Sequence, residues 1–278
     1  MAYYFSSVFI YLSFSSYRFE YLGKSNILKS FFRIYANVKL ILFKRIKNLG
    51  FKSSFHKLSL VLIIIFGLLA RAYKMPFVIL YDEAATYLDY CDGGFTSFLR
   101  IWNVNNHLIN TLLMKVSIEI FGNSVIALRI PSFIFGITSH LLIYYISKKI
   151  YDKRVALFST LIYSCTPLLI HFESQARGYS IKVTFTLLLF IACFHFLQKP
   201  SKTYLVLISF VSSLGFLTIF SFIFPFLGFL IWIIYDLFKQ KKTEKKLIAK
   251  YIFQVVMYTK IISVFFYTPS IILSNGIS

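Results

Sequence analysis

Apolar residues run through most of this chain in long blocks, separated by short polar gaps that are mostly basic. A membrane-crossing helix needs about 20 such residues. Blocks near that length fall at roughly 58–79 (beginning LSLVLIIIFGLLA), 124–146, 155–171, 181–198 and 251–272. Residues 203–238 are apolar throughout. As one helix they would be about 54 Å long, against a hydrocarbon core of about 30 Å, so two spans with a tight turn near Ile219–Phe222 are expected. Between the first two spans, Leu108, Leu112, Val116 and Ile120 recur at helical spacing. That pattern predicts an amphipathic helix lying on the membrane. The fold class expected is an all-α polytopic membrane protein of about seven spans, with amphipathic juxtamembrane helices in the first outer loop. The chain shows no internal repeat.

Composition agrees with this pattern. Hydrophobic residues make up 58% and charged residues 14%, with a mean hydropathy of +0.72. A soluble domain is roughly 45–50% apolar and about 25% charged. Disorder is excluded, and a soluble enzyme would have to hide more apolar surface than its size allows. The 30 basic and 10 acidic residues give a net charge of +20. The cations sit between apolar blocks, which argues against nucleic acid as a partner and for membrane topology. Lys148, Lys149, Lys153, Arg154, Lys199, Lys202, Lys239, Lys241, Lys242, Lys245, Lys246 and Lys250 share one side of the predicted spans; only Arg100, Lys115 and Arg177 lie opposite. The positive-inside rule makes the richer side cytoplasmic, with the N-terminus inside and the C-terminus outside. Residues 1–57 are expected to be a cytoplasmic or interfacial segment, with a basic amphipathic helix over 27–51, and residues 58–278 the membrane module. The stretch Tyr3–Phe14 lacks the marks of a signal peptide. Cys91, Cys165 and Cys193 have no metal or disulfide spacing.

Candidate chemistry gathers on the outer side. Asp82, Glu83, Asp89, Asp92, Glu119 and Glu173 are all there. Asp82 and Glu83 stand in YDEAATY immediately beyond the first span. A carboxylate at a membrane boundary is expensive and marks a functional candidate, although a solvated loop acid is the plain alternative. His107 begins the amphipathic helix. HFESQARGYS, residues 171–180, carries Arg177 as its cation. An arginine fork can hold a phosphate through two parallel hydrogen bonds, but a lone interfacial arginine more commonly snorkels. Arg71 and Lys74 are expected to reach the headgroups from the end of the first span. Arg129, Lys182 and Lys260 lie in or at the ends of spans, and Arg129 and Lys182 are close enough to the outer face to meet a lipid phosphate. His140 and His195 read as packed helix residues, and Pro131, Pro167 and Pro225 as sources of helix ends and kinks.

Taken in order, R-x-Y (Arg71, Tyr73), DEAATY, NNHLINTLL, FGNSVIALRIPS and SQARGYS resemble the GT-C membrane glycosyltransferases. The similarity is to the family 39 branch, which includes protein O-mannosyltransferases, the lipid A aminoarabinose transferase and Rgt-type transferases of lipopolysaccharide. It covers roughly residues 58–240. The resemblance implies transfer of a sugar from a polyprenyl-phosphate donor to a hydroxyl of a lipid or protein acceptor, with inversion, on the outer face of the bacterial inner membrane. It implies Asp82 as the base, Glu83 and His107 as acceptor-binding or positioning residues, and Arg177, Tyr179 and Arg129 as ligands of the donor phosphate. Leu108 stands where the family commonly has a proline after its loop histidine. Members usually have more spans and often a soluble C-terminal region, so a C-terminally truncated member is expected. No cofactor is required; Glu83 and His107 could share a divalent cation, but the reading without metal is favoured. The alternative function is a non-catalytic polytopic protein, transporter-like or a degenerate transferase fragment. A transporter should place ionisable groups near the midplane and show internal symmetry.

Overall fold

The computed structural model describes residues 53–93, 96–100, 106–239 and 245–275. The expected basic helix over 27–51, the rest of the chain before Ser53, and the lysines at 241 and 242 lie outside the described residues. All regular elements among the described residues are helical.

α1, Ser53–Lys74, carries the first apolar block. It was expected to continue to residue 79 but stops at Lys74, because the residue before a proline is disfavoured in a helix and Met75 precedes Pro76. Residues 75–80 form a strap to the short helix α2, Tyr81–Thr86, which runs into a π-helical turn at Tyr87–Cys91. α3 is Ser97–Arg100 and α4 is Leu108–Phe121. The second span is α5, Val125–Ile150, capped by Ser124, whose hydroxyl accepts from the Ala127 N–H. Pro131 lies inside α5 and cannot donate to the carbonyl of Ala127 four residues back. The Ser117 hydroxyl of α4 takes that carbonyl instead, at 2.6 Å.

The third block is a broken span. α6, Lys153–Cys165, and α7, Pro167–Glu173, meet at 65°. Thr166 between them is extended, as the residue before proline should be. α8, Tyr179–Gln198, is continuous. The block at 203–238 divides at Ile219, whose backbone is extended, into α9, Lys202–Thr218, a 3-10 turn at Phe220–Phe222, and α10, Ile223–Lys239. α11 is Lys245–Asn275. Among the described residues, five helices are long and apolar enough to cross a membrane, or six with α6 and α7 taken as one bent span. α9 is apolar but has 17 residues, about 26 Å of helix against a core of about 30 Å. The chain is thus a multi-pass, all-helical membrane protein.

The largest apolar cluster joins α8 to α11 and includes Leu189, Phe196, Leu205, Phe222, Ile233 and Leu237. Ser209 and Ser213 of α9 donate to the carbonyls of Val255 and Thr259 on α11. Small hydroxylated residues let two membrane helices approach closely and bond across the seam. α4 turns Asn110, Thr111 and Ser117 inward; of the predicted apolar face, Leu108 is buried in a smaller apolar cluster that Leu112 packs against, while Val116 and Ile120 are exposed.

At the turn after α9, the fully buried Phe222 ring lies on Gly215. A β-carbon at residue 215 would sit 2.4 Å from that ring. Gly215→Ala should therefore destabilise the protein by about 1–3 kcal/mol, as overpacking does. Phe222→Leu should recover part of the loss. Thermal unfolding in detergent measures both; an unchanged midpoint for Gly215→Ala would contradict this packing.

Candidate active site

α2 follows from its sequence. Glu83 occupies its third position, and the carboxylate reaches back to the Leu80 N–H at 2.9 Å, the acidic half of a capping box. Glu83 is fully buried. Its Oε1 also accepts from Arg129 Nε at 2.8 Å and from the Ala176 N–H at 2.5 Å, and its Oε2 from Arg129 Nη2 at 2.5 Å. Burial pushes the carboxyl pKa up, but the Arg129 and backbone hydrogen bonds outweigh it and hold the group below its ordinary value.

Arg129 on α5 spends its guanidinium on this junction. Besides Glu83, Nη1 donates to the carbonyls of Lys74, Met75 and Phe77, and Nη2 to that of Val78. The break at Pro76 frees carbonyls at the end of α1 and in the strap, and Arg129 satisfies them. Lys115 does the same one layer away, donating to the carbonyls of Cys91 and Gly93 and to the Ser97 hydroxyl.

With Glu83 turned inward, its neighbour Asp82 is exposed. Thr86, four residues on, donates its hydroxyl to the Asp82 carbonyl at 2.8 Å. Arg177 Nη1 donates to that same hydroxyl at 2.7 Å and to the Asp82 carbonyl at 3.3 Å. The Arg177 guanidinium is thus bonded to the backbone of a residue 95 positions away in sequence, at one end of the bundle.

Arg177 arrives on a buried segment, residues 174–178, whose polar groups are held from several helices. The Asn110 amide donates to the Ala176 carbonyl, the Ser132 hydroxyl to the Arg177 carbonyl, and the Gly178 N–H to His107 Nδ1 at 3.1 Å. Buried backbone groups need such partners when no regular ladder supplies them. A β-carbon on Gly178 would sit 2.9 Å from Thr218 and 3.1 Å from His107 Nδ1, so only glycine lets the three come together.

His107 is buried at the start of α4. Since Nδ1 accepts from Gly178, the imidazole proton sits on Nε2. Burial, with Arg177 nearby, pushes its pKa down to about 3, so the ring is neutral. Tyr179 packs edge-on to His107 and against Phe172. Lys182, one turn into α8, donates to Ser221 in the turn after α9, at 2.8 Å.

The structure thus brings Asp82, His107, Arg177 and Tyr179 to one end of the bundle and places Glu83 and Arg129 beneath them as a closed pair. Glu83 and His107 are not arranged to share an ion, because both Glu83 oxygens and His107 Nδ1 already accept hydrogen bonds. Thr86, Asn110 and Ser132 have parts that the sequence reading missed; for Thr86 the signal was its place four residues after Asp82. Arg71, expected to snorkel, is fully buried and paired with Glu173 at 2.6 Å, because the bend at Pro167 turns Glu173 toward α1.

The fold and this polar end define a multi-pass membrane protein with a buried, ion-paired site. Residues 108–272 match the family model described as dolichyl-phosphate-mannose-protein mannosyltransferase. The chain belongs to that family of GT-C membrane glycosyltransferases. No curated protein and no solved structure matches the chain.

The low pKa of His107 has a consequence for acid stability. The unfolded chain binds a proton at this residue below about pH 6.5, while the fold refuses it until about pH 3. The stability that neutral His107 contributes is complete above about pH 6.5 and is lost as pH falls toward 3. His107→Gln should flatten the fall in unfolding temperature between pH 7 and pH 5. An equal fall in both proteins would contradict the neutral assignment.

Proposed function

We propose that this protein transfers a sugar from a polyprenyl-phosphate donor to the hydroxyl of a lipid or protein acceptor, on the extracytoplasmic side of the bacterial inner membrane and with inversion at the anomeric carbon. The observation that carries the reading is the seat of Arg177 on Thr86 and the Asp82 backbone, which ties a cation to the backbone of an exposed acidic residue at the end of a membrane bundle. Family membership supports glycosyl transfer in general. The excess of lysine around the opposite loops supports the side assignment.

In this reading the acceptor oxygen attacks the anomeric carbon and its proton passes to the Asp82 carboxylate. The bond from that carbon to the phosphate oxygen breaks, and its electron pair leaves with the lipid phosphate. Arg177 stabilises the departing charge. A carboxylate suffices as base because the hydroxyl acidifies as its new bond forms. Tyr179 donates its hydroxyl to the phosphate. His107 offers Nε2–H to the acceptor and holds Gly178. Of the two parts expected for Glu83, burial favours positioning over acceptor contact. Arg129 serves the phosphate indirectly, because its donors are spent on Glu83 and the carbonyls of residues 74–78. Glu83 and His107 are spoken for by their hydrogen bonds rather than by a metal ion.

Transfer of radiolabelled sugar from a polyprenyl-phosphate donor, in membranes with matched amounts of each variant, tests the assignment. Asp82→Asn keeps shape and removes basicity, so it should lower turnover by about 10²–10⁴. Arg177→Ala should weaken use of the donor, and Arg177→Lys should restore it in part, keeping the charge without the fork. Wild-type turnover by Asp82→Asn would sink the base assignment. Absence of transfer by the unmodified chain with every polyprenyl donor would favour a non-catalytic protein.

A further inference from the structure

A second buried ion pair lies just before Arg177 in the chain. Glu173 ends α7, and its Oε2 accepts from Arg71 Nε of α1 at 2.6 Å. Tyr163 of α6 donates its hydroxyl to Oε1. Arg71 also donates Nη1 to the carbonyls of Gly67, on its own helix, and Ser164 near the end of α6. Its guanidinium lies 5.7 Å from the centre of the Tyr163 ring. On the far side α5 presents Gly136, where a β-carbon would come within 3.3 Å of Glu173 Oε2. The Ser174 hydroxyl donates to the Ile170 carbonyl of α7 at 2.7 Å, with the Arg71 backbone carbonyl a longer second acceptor at 3.3 Å. Three other helices, α1, α5 and α6, therefore meet where α7 stops and where residues 174–178 begin.

The other side of that segment is held by Glu83, through the Ala176 N–H. Arg177 stands one residue beyond this second anchor, and its seat on Thr86 belongs to the helix that Glu83 orients. The two carboxylates grip the same short segment from different helices. A buried ion pair adds little stability over a well-packed apolar contact, but it constrains geometry in a way an apolar contact does not. Arg71 and Glu173 are also almost fully buried, where charged groups are costly unless paired.

We infer that Arg71, Tyr163 and Glu173 are positioning residues for Arg177: they set the start of residues 174–178 so that its guanidinium reaches the donor phosphate. This rests on the proposed role of Arg177. None of the three touches the reacting atoms.

The test is a pair of measurements on purified protein in detergent. In the first, Glu173→Gln and Tyr163→Phe are each made alone and together with Arg177→Ala, and kcat/KM for the polyprenyl-phosphate donor is measured. Each single change should lower it, Glu173→Gln by on the order of 10- to 100-fold, the usual effect of moving a group by about an ångström. In the Arg177→Ala background the same changes should cost less than about twofold, because the residue they act through is gone. Losses that multiply independently of Arg177 would overturn the inference. The second measurement is hydrogen–deuterium exchange, which needs no activity. Glu173→Gln should speed exchange across residues 174–178 and leave α8 and α9 unchanged. Unchanged exchange in 174–178, or a loss of protection across every helix, would overturn it. If Glu173→Gln fails to accumulate, Tyr163→Phe keeps the ion pair and decides both measurements. If the unmodified protein transfers no sugar, the proposed function fails while the exchange result still decides whether the pair orders this segment.

Discussion

The Glu83 carboxylate is the constraint on which the polar end of this protein depends. It is fully buried and accepts four hydrogen bonds, two from Arg129, one from Leu80 and one from Ala176. Those bonds join α5, the start of α2 and the segment that bears Arg177. Removing one partner from such a pair typically costs about 3–5 kcal/mol, because the other charge is stranded away from water. The same carboxylate decides what its neighbour does. Adjacent side chains on a helix point about 100° apart, so burying Glu83 leaves Asp82 facing outward.

A second regularity explains why so many charged groups lie inside a membrane bundle. Prolines interrupt the helices and free carbonyls that lipid cannot satisfy. The break at Pro76 supplies the carbonyls taken by Arg129, and the break at Pro167 brings the Ser164 carbonyl within reach of Arg71. At Pro131 the freed carbonyl of Ala127 goes to Ser117. Each buried arginine then needs a counter-charge, and Glu83 and Glu173 provide it. The broken helices and the buried ion pairs are two sides of one arrangement, and both lead to the short segment that carries Arg177.

Much of the fold was legible because hydropathy is a local property. The apolar blocks became helices, the block at 203–238 divided at Ile219, and the third block bent at the proline that the sequence displays. The breaks at Met75 and Thr166 shortened or bent spans that hydropathy alone drew as straight. Of the site, Asp82, His107, Arg177 and Tyr179 could be singled out by residue type and position. Pairing could not. Charge shows that a buried arginine needs a partner, but not that Arg129 chooses Glu83 across 46 residues or Arg71 chooses Glu173 across 102. Thus Arg71 looked like a residue reaching for headgroups, and Arg129 like a direct phosphate ligand. The polar inward face of α4 was obscured for the same reason: Asn110 and Thr111 acquire meaning only through the segments they hold.

In this member of the GT-C family, Arg177 bonds to the backbone carbonyl of Asp82, and buried ion pairs hold the segments on either side of that contact. The most direct measurement is an experimental structure in a lipid nanodisc with polyprenyl phosphate bound. The account predicts the phosphate within hydrogen-bonding distance of Arg177, at the end of the bundle where Asp82 is exposed, with Glu83 still enclosed by Arg129 and the Ala176 N–H. A phosphate seated at the opposite end, or Glu83 turned out to meet the ligand while Asp82 is buried, would contradict it.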